Sequence, residues 1–227
     1  ITSGGELSIT SSSGSIYSVV PHSHLSSVGA MTLDANDITL HLDTTTFPEN
    51  SSITTDVNNI YINSSGDITA EAGTTISSAD VLLMSANNIT VESSAPNYSH
   101  MSSIGGMYIY SGDIVISTDS LSLPVANSLI SATGNISVTA ATGDVSLAGS
   151  AWMKATSGYV TVNATGGDLL LGSKAYLQTT SGAITATGKN ITFTSGTAPL
   201  DTDKTRFLAV GGSITATATA GDITLNN

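Results

Sequence analysis

One short phrase returns along the whole chain and constrains the fold more than any other feature. It consists of Gly or Asn, a polar residue, an aliphatic residue, usually Thr or Ser, and a second aliphatic residue. Aliphatic residues at alternate positions predict a β-strand with one buried face. The leading Gly or Asn is typical of a turn before the strand. Copies begin at Gly66, Asn87, Gly112, Gly143, Gly167 and Gly221.

The phrases come in pairs, and a third, weaker strand fits between most pairs, so the sequence predicts three strands per coil. The shortest period, from Ile60 to Val81, is 21 residues. The leading strands have their first aliphatic residues at Leu7, Met31, Ile60, Val81, Met107, Ile136, Val160, Ile184 and Ile214. The partner strands begin at Ile16, Ile38, Ile68, Ile89, Ile114, Val145, Leu169, Ile191 and Ile223. The third strands are expected around Leu25, Ile53, Ile76, Met101, Leu121, Met153, Leu177 and Leu208.

This period predicts an all-β fold, a parallel β-helix (β-solenoid) of about nine coils. Left-handed solenoids built from six-residue repeats have shorter coils, near 18 residues, so the longer coil favours a right-handed helix. Parallel strands stack about 4.8 Å apart, which gives a rod roughly 40 Å long. We expect a single domain over residues 1–227, forming a fragment or processed part of a longer chain.

The longer coils carry their extra residues in one sector. These insertions lie around residues 19–24, 43–50, 94–100, 124–130 and 196–205. A stacked coil tolerates insertions that are confined to one side, because the strands of the other sides remain in contact.

Charge excludes several classes of partner. The chain has 5 basic and 17 acidic residues, a net charge of −12. All five basic residues follow position 153, and the first 153 residues carry 13 acids and no base. Binding to nucleic-acid phosphates needs clustered Lys and Arg, so nucleic acid is not expected as a partner. No apolar run approaches the length of about 20 residues that spans a bilayer, so no membrane insertion is expected.

The Gly-Asp-Ile-Thr-Leu phrase at 221–225 and the Gly-Asn-Ile-Ser-Val phrase at 134–138 resemble the repeats of filamentous-haemagglutinin-type surface adhesins. They are also similar to the β-helical segments of virus and phage fibre or spike proteins. The resemblance extends over nearly the whole chain. It implies a structural role outside the cell or on a virion, without catalysis.

A polar residue precedes each partner-strand aliphatic residue and is expected to form one column down the rod. In a turn, Asp and Asn are interchangeable because either side chain accepts a backbone N–H. A column of carboxylates is also a candidate for Ca²⁺ sites, which makes Ca²⁺ the one cofactor considered. The column consists of Asp37, Asp67, Asn88, Asp113, Asp144, Asp168, Asn190 and Asp222.

The outward positions of the leading strands suggest two surfaces. In the last four coils they read Ser137/Thr139, Thr161/Asn163, Thr185/Thr187 and Thr215/Thr217, an array with the geometry of an ice-binding face. Earlier coils interrupt this array with larger side chains, and an exposed apolar patch usually marks a contact surface. The candidate contact patch is Tyr61, Leu82, Met84, Tyr108 and Tyr110.

Two further groups have an ordinary interpretation as solvated loops. His22, His24 and His41 are a candidate metal site, since three imidazoles can bind one ion. A polysaccharide-active β-helix enzyme would need clustered carboxylates with nearby bases, and the only mixed cluster is Asp201, Asp203, Lys204 and Arg206. No Ser-His-Asp set and no phosphate-binding loop is recognisable. We therefore assign no catalytic residue and predict that the protein is not an enzyme.

The sequence thus predicts a structural or adhesive shaft of an extracellular, cell-surface or virion fibre. Its expected partners are a protein or carbohydrate surface, or further copies that assemble end to end through open coil edges. The alternatives are a virus or phage spike built as a threefold oligomer, a polysaccharide-active enzyme and an ice-binding protein.

Overall fold

A computed structural model describes residues 1–18, 23–40, 51–93, 99–118, 129–149, 151–194 and 205–226. Three sheets of nine strands each run along the molecule, and all pairings between their strands are parallel. Each coil contributes one strand to sheet A, the next to sheet B and the third to sheet C. The predicted parallel β-solenoid with three strands per coil is confirmed, and its handedness stays a prediction.

The strands of sheet A are β1 (Thr2–Ser3), β4 (His24–Ser27), β7 (Ser52–Thr55), β10 (Thr75–Ser78), β13 (His100–Ser103), β16 (Leu129–Ala132), β19 (Trp152–Ala155), β22 (Tyr176–Thr179) and β25 (Arg206–Ala209). Those of sheet B are β2 (Leu7–Thr10), β5 (Met31–Ala35), β8 (Ile60–Ser64), β11 (Val81–Ser85), β14 (Gly106–Ser111), β17 (Asn135–Ala140), β20 (Val160–Ala164), β23 (Ile184–Gly188) and β26 (Ile214–Ala218). Those of sheet C are β3 (Ile16–Ser18), β6 (Ile38–Leu40), β9 (Asp67–Ala70), β12 (Asn88–Ser93), β15 (Asp113–Thr118), β18 (Val145–Leu147), β21 (Leu169–Leu171), β24 (Ile191–Thr194) and β27 (Ile223–Asn226).

The core is a continuous stack of aliphatic side chains. In sheet C, Ile68 pairs with Ile89, and Ile89 pairs with Ile114. All three side chains are at most 1% exposed. Because each inward side chain contacts the equivalent side chain of the coils on either side, burial of apolar surface links every coil to its neighbours.

Side-chain volume is balanced across the core near its C-terminal end. Here the second inward position of each sheet B strand holds a small side chain, Ala186 in β23 and Ala216 in β26. Phe193 of sheet C and Phe207 of sheet A lie close to each other there, with ring centroids 5.0 Å apart. Two large rings therefore occupy the space that the small alanine side chains leave, as close packing of a protein interior requires.

Two strand predictions need correction. The inward residue at the start of β11 is Leu82, not Val81, because Leu82 pairs with Ile60 and Met107. The strand expected around Leu208 is β25; its inward residue is Phe207, and Leu208 is 39% exposed. The strand expected around Leu121 is β16, at Leu129–Ala132; Leu121 itself lies outside the described residues.

Each predicted insertion lies in the chain between a strand of sheet C and the next strand of sheet A, so all five fall at the same point in the order of strands. Most of their residues lie outside the described part of the chain. The ends of three ranges are strand residues instead: His24 belongs to β4, His100 to β13 and Leu129 to β16. Over the parts of the chain that the structure describes, no helix has the length and apolar character needed to cross a bilayer.

Candidate contact surface on sheet B

Sheet B presents two columns of outward side chains, which lie on either side of the inward column formed by Met84, Ile109 and Val138. From β17 to β26 both columns carry small polar residues, and Thr185 and Thr187 pair with Thr215 and Thr217. The predicted hydroxyl array is therefore in register over these four coils. Its members are Ser137, Thr161, Thr185 and Thr215 in the first column and Thr139, Asn163, Thr187 and Thr217 in the second.

The contact patch lies on this face, but two of its predicted members are wrong. Leu82 and Met84 are completely buried in the core. Leu83 points outward instead and pairs with Tyr61 on one side and Tyr108 on the other. We define the contact patch as Tyr61, Leu83, Tyr108 and Tyr110.

Gly106 determines how the ring of Tyr108 lies on the sheet. Gly106 precedes Tyr108 by two residues, so the two residues point to the same face of β14. A Cβ atom added at Gly106 would lie 3.2 Å from Cε2 and 3.3 Å from Oη of Tyr108. The Tyr108 ring therefore lies back across Gly106, which is buried beneath it. Because Gly106 has no side chain, the ring can remain close to the backbone.

Tyr61 is held in place by a neighbouring amide. Nδ2 of Asn59 donates a hydrogen bond of 2.7 Å to Oη of Tyr61. Oδ1 of the same amide accepts the backbone N–H of Val81, in the next coil, at 3.0 Å. One side chain thus fixes the Tyr61 hydroxyl and joins β8 to β11.

A shallow channel runs between the two outward columns, across β11, β14 and β17. Tyr108 lies on one side and Tyr110 on the other, and they are 37% and 56% exposed. The channel continues past Leu83 and Ser85 at one end. At the other end it is lined by Ser137 and Thr139. The channel is therefore a preformed feature of three adjacent, hydrogen-bonded strands.

The predicted polar column lies at the start of the sheet C strands, where it forms a hydrogen-bonded ladder. Oδ1 of Asp113 accepts the backbone N–H of Asp144 at 2.7 Å. Oδ1 of Asp144 accepts the backbone N–H of Asp168, also at 2.7 Å. Other steps join Asp37 to Asp67, Asp168 to Asn190 and Asn190 to Asp222. Asp and Asn side chains accept backbone N–H groups here, as predicted, but the donor lies in the next coil and not in the residue's own turn.

Glycine precedes most of the ladder aspartates for a steric reason. A Cβ atom at Gly143 would collide with the Asp113 carboxylate, and one at Gly167 would collide with that of Asp144. Where the preceding residue is Asn87 or Lys189, the ladder residue is an asparagine. Its Nδ2 donates to the carboxylate of the previous coil, from Asn88 to Asp67 at 2.7 Å and from Asn190 to Asp168 at 2.9 Å.

The ladder carboxylates Asp37, Asp67, Asp113, Asp144, Asp168 and Asp222 are also the predicted Ca²⁺ ligands. At least one oxygen of Asp37, Asp67, Asp113, Asp144 and Asp168 already accepts a hydrogen bond from the neighbouring coil. In the described ranges, no group of three or more His, Asp or Glu side chains is placed to hold a metal ion. Ca²⁺ binding stays a prediction, checked by melting the protein with and without millimolar Ca²⁺.

The other candidate groups fall largely outside the described residues. His22 and His41 lie there, and so do Asp201, Asp203 and Lys204. Of the histidines, His24 is in β4, where its Nδ1 lies 2.7 Å from Oγ of Ser52. Arg206 is in β25, where its guanidinium lies 4.8 Å from the centroid of the Tyr176 ring.

Arg206 belongs to an aromatic stripe on sheet A that sequence reasoning missed. Trp152, Tyr176 and Arg206 pair in register on three successive strands. The Trp152 and Tyr176 rings meet edge to face at 5.4 Å. Burial raises the pKa of Tyr176, and the positive charge of Arg206 opposes that rise. The signal was an aromatic residue at the same position of two successive coils.

Comparisons with protein-family models, with curated protein sequences and with solved structures found no match.

Proposed function

We propose that the protein is a non-enzymatic structural and adhesive shaft of an extracellular or virion-surface fibre. The observation that carries this proposal is the contact patch on sheet B. Apart from Asp34, short hydroxyl and amide side chains line the outward columns of this face, and on β8, β11 and β14 they give way to Tyr61, Leu83, Tyr108 and Tyr110. Apolar groups clustered on an otherwise polar face are typical of a contact surface.

The architecture supports the structural part of the proposal. Each coil adds about 4.8 Å of rod and is bonded to its neighbours by three strand ladders. The core is built from aliphatic residues without a disulfide, since the chain has no cysteine. A fibre built in this way is lengthened by adding coils, while its cross-section and its outer faces are preserved.

Adhesion is tested by retention of the fluorescently labelled protein on erythrocytes and on insoluble cellulose, chitin and mannan. We expect retention on at least one of these surfaces, and a loss of about tenfold or more in the double variant Tyr108→Ser/Tyr110→Ser. Tyr159→Ser is the matched control, because Tyr159 is 43% exposed and lies outside the patch. Equal retention of the double variant and the wild type would refute adhesion through this face.

Solution mass distinguishes the shaft from a spike. A threefold oligomer would give three times the mass of the 22.8 kDa chain. A monomeric mass supports a shaft that acts as a single rod, and a trimeric mass favours the virus or phage spike.

The hydroxyl array supports ice binding as a second candidate function. Two columns in register, with Thr at six of the eight positions, are a regular surface on which water can be ordered. Recrystallisation of ice in the presence of the protein tests this function, with Thr185→Tyr as the variant that breaks one column. Growth of ice crystals at the rate seen with an equal concentration of albumin would eliminate the candidate.

A further inference from the structure

We propose that the contact patch binds a neutral polysaccharide, with the sugar chain lying along the rod axis in the channel between Tyr108 and Tyr110. This inference rests on the proposed adhesive function and names the chemical class of its ligand. Four features support this proposal: the orientation of the Tyr108 ring, the polar side chains beside that ring, the local charge and the width of the channel.

The Tyr108 ring is placed to receive the flat face of a sugar. The ring lies back across Gly106, and 37% of the side chain is exposed. The face of an aromatic ring carries partial negative charge, which attracts the weakly positive C–H groups on the face of a pyranose ring. Aliphatic side chains with the same apolar area would lack this directional attraction.

Polar groups for the sugar hydroxyls lie beside the ring. Ser137 follows Tyr108 in the first column, and Ser85 and Thr139 flank Tyr110 in the second. Hydroxyl side chains both donate and accept hydrogen bonds, as sugar hydroxyls do. These side chains are short and stand on paired strands, so little conformational entropy is lost when they bind.

Charge selects a neutral sugar over an acidic one. The patch lies within the first 153 residues, which carry 13 acidic side chains and no Lys or Arg. A uronate or sulfate group at the patch would find no cationic partner among these residues and would be repelled by the surrounding field. A neutral sugar has no such penalty.

The channel has the width of one polymer strand. Tyr108 and Tyr110 are two residues apart on β14, so their Cα atoms are separated by about 7 Å. The three strands that line the channel give it a length of roughly 10 Å. A stable interface with a folded protein buries about 800 Å² on each partner, which is far more than a channel of these dimensions offers.

The inference assigns a specificity-determining role to Gly106, which no sugar atom needs to touch. Val81 and Asn135 occupy the equivalent position on the neighbouring strands, so the backbone accepts larger residues at this point. A valine at position 106 would push the Tyr108 ring away from the sheet while preserving every residue of the contact patch. The prediction is loss of sugar binding without loss of the fold.

Affinity electrophoresis tests the inference with soluble polysaccharides. The probes are a β-glucan, a mannan and a galactan as neutral chains, and a polyuronate as the acidic chain. We expect at least one neutral chain to retard the protein, and both Gly106→Val and Tyr108→Ser to raise its apparent Kd about tenfold or more. Thr187→Val, at an outward position of the same sheet, is the matched control and should bind like the wild type.

A melting temperature of Gly106→Val close to that of the wild type shows that the fold is preserved. If Gly106→Val does not fold, Tyr108→Ser and Tyr108→Phe decide the matter: Phe should preserve binding and Ser should abolish it. Stronger retardation by the polyuronate, or none by any neutral chain, overturns the inference. If the neutral chains fail while erythrocytes still retain the protein through Tyr108 and Tyr110, the ligand class is wrong and the adhesive function stands.

Discussion

At the scale of single residues, the rod depends on pairs of residues that lie one coil apart. Asp37, Asp113 and Asp144 turn their carboxylates towards the next coil, where a glycine leaves room for each of them. The Gly-Asp phrase is therefore a packing requirement between coils as well as a turn signal. Glycine is needed here for close approach, and none of the Gly-Asp glycines has a positive φ.

Replacing Gly143 with alanine tests this close approach. The added Cβ would collide with the Asp113 carboxylate, so Gly143→Ala should lower the free energy of unfolding by about 1–3 kcal/mol. Gly4→Ala is the control, because an added Cβ at Gly4 meets no atom within 4 Å. Urea unfolding followed by circular dichroism measures both variants. Replacing Gly with Ala lowers the entropy of the unfolded chain and by itself stabilises the fold, so a loss at Gly143 no larger than the change at Gly4 would show that the collision does not govern stability.

Asp144 tests whether hydrogen bonding or charge matters in the ladder. Its Oδ1 accepts the N–H of Asp168 at 2.7 Å, and an asparagine can do the same. Asp144→Asn should therefore leave the unfolding free energy within about 0.5 kcal/mol, while Asp144→Ala should lose about 0.5–1.5 kcal/mol. The same urea titrations compare the two variants. Equal stability of the Ala and Asn variants would contradict the role given to this bond.

His100 makes stability depend on pH. Burial lowers its pKa from the ordinary value near 6.5, so the folded protein binds a proton less readily than the unfolded chain. The free energy of unfolding should then fall as the pH is lowered from about 7.5 to about 5.5. Thermal melts over this range measure the slope, and His100→Gln should flatten it. An unchanged slope in that variant would assign the dependence to other groups.

At the scale of strands, register is decided by neighbours as much as by the sequence of the strand itself. β11 reads Val-Leu-Leu-Met-Ser, and four successive apolar residues allow either face to be buried. Pairing with Ile60 and Met107 selects Leu82 and Met84 for the core. In contrast, β9 and β12 alternate clearly, and their inward residues Ile68 and Ile89 were predicted correctly from sequence.

The contact patch could be predicted only in part for the same reason. Tyr61, Tyr108 and Tyr110 lie where alternation placed them, and Leu83 replaces Leu82 and Met84. The orientation of the Tyr108 ring could not be predicted, because it depends on the absence of a side chain at Gly106. The three strands per coil, and the place of the insertions between sheet C and sheet A, could be predicted because both follow from the spacing of the repeat.

The aromatic stripe gives a prediction at this scale. Tyr176 contacts the Trp152 ring on one side and the Arg206 guanidinium on the other, linking β19, β22 and β25. Tyr176→Leu preserves apolar volume but removes both contacts and should destabilise the protein by about 1–2 kcal/mol. Tyr159→Leu serves as the control in thermal melts, since Tyr159 is 43% exposed. Equal destabilisation would refute the stripe as a specific link between strands.

At the scale of the whole molecule, stability is expected to be a sum of similar coils and the interfaces between them. Residues 160–183 form one complete coil of 24 residues, since Val160 pairs directly with Ile184. Deleting them should leave a folded rod that is shorter by about 4.8 Å. Deleting only 160–171 should unfold the protein, because every following strand would lose its register. Solution scattering and circular dichroism measure length and folding, and a folded half-coil deletion would contradict a register-locked stack.

The ladder also restricts the order in which coils can follow one another. After each coil that bears Asp, the next begins either with Gly-Asp, as at Gly143, or with another residue and Asn, as at Lys189 and Asn190. Coils are therefore not freely interchangeable modules, because each one specifies part of its successor. Recombination between such genes would yield folded products chiefly where the coils on either side of the junction keep this pairing. A designer who joins coils in a new order would have to preserve the same pairing.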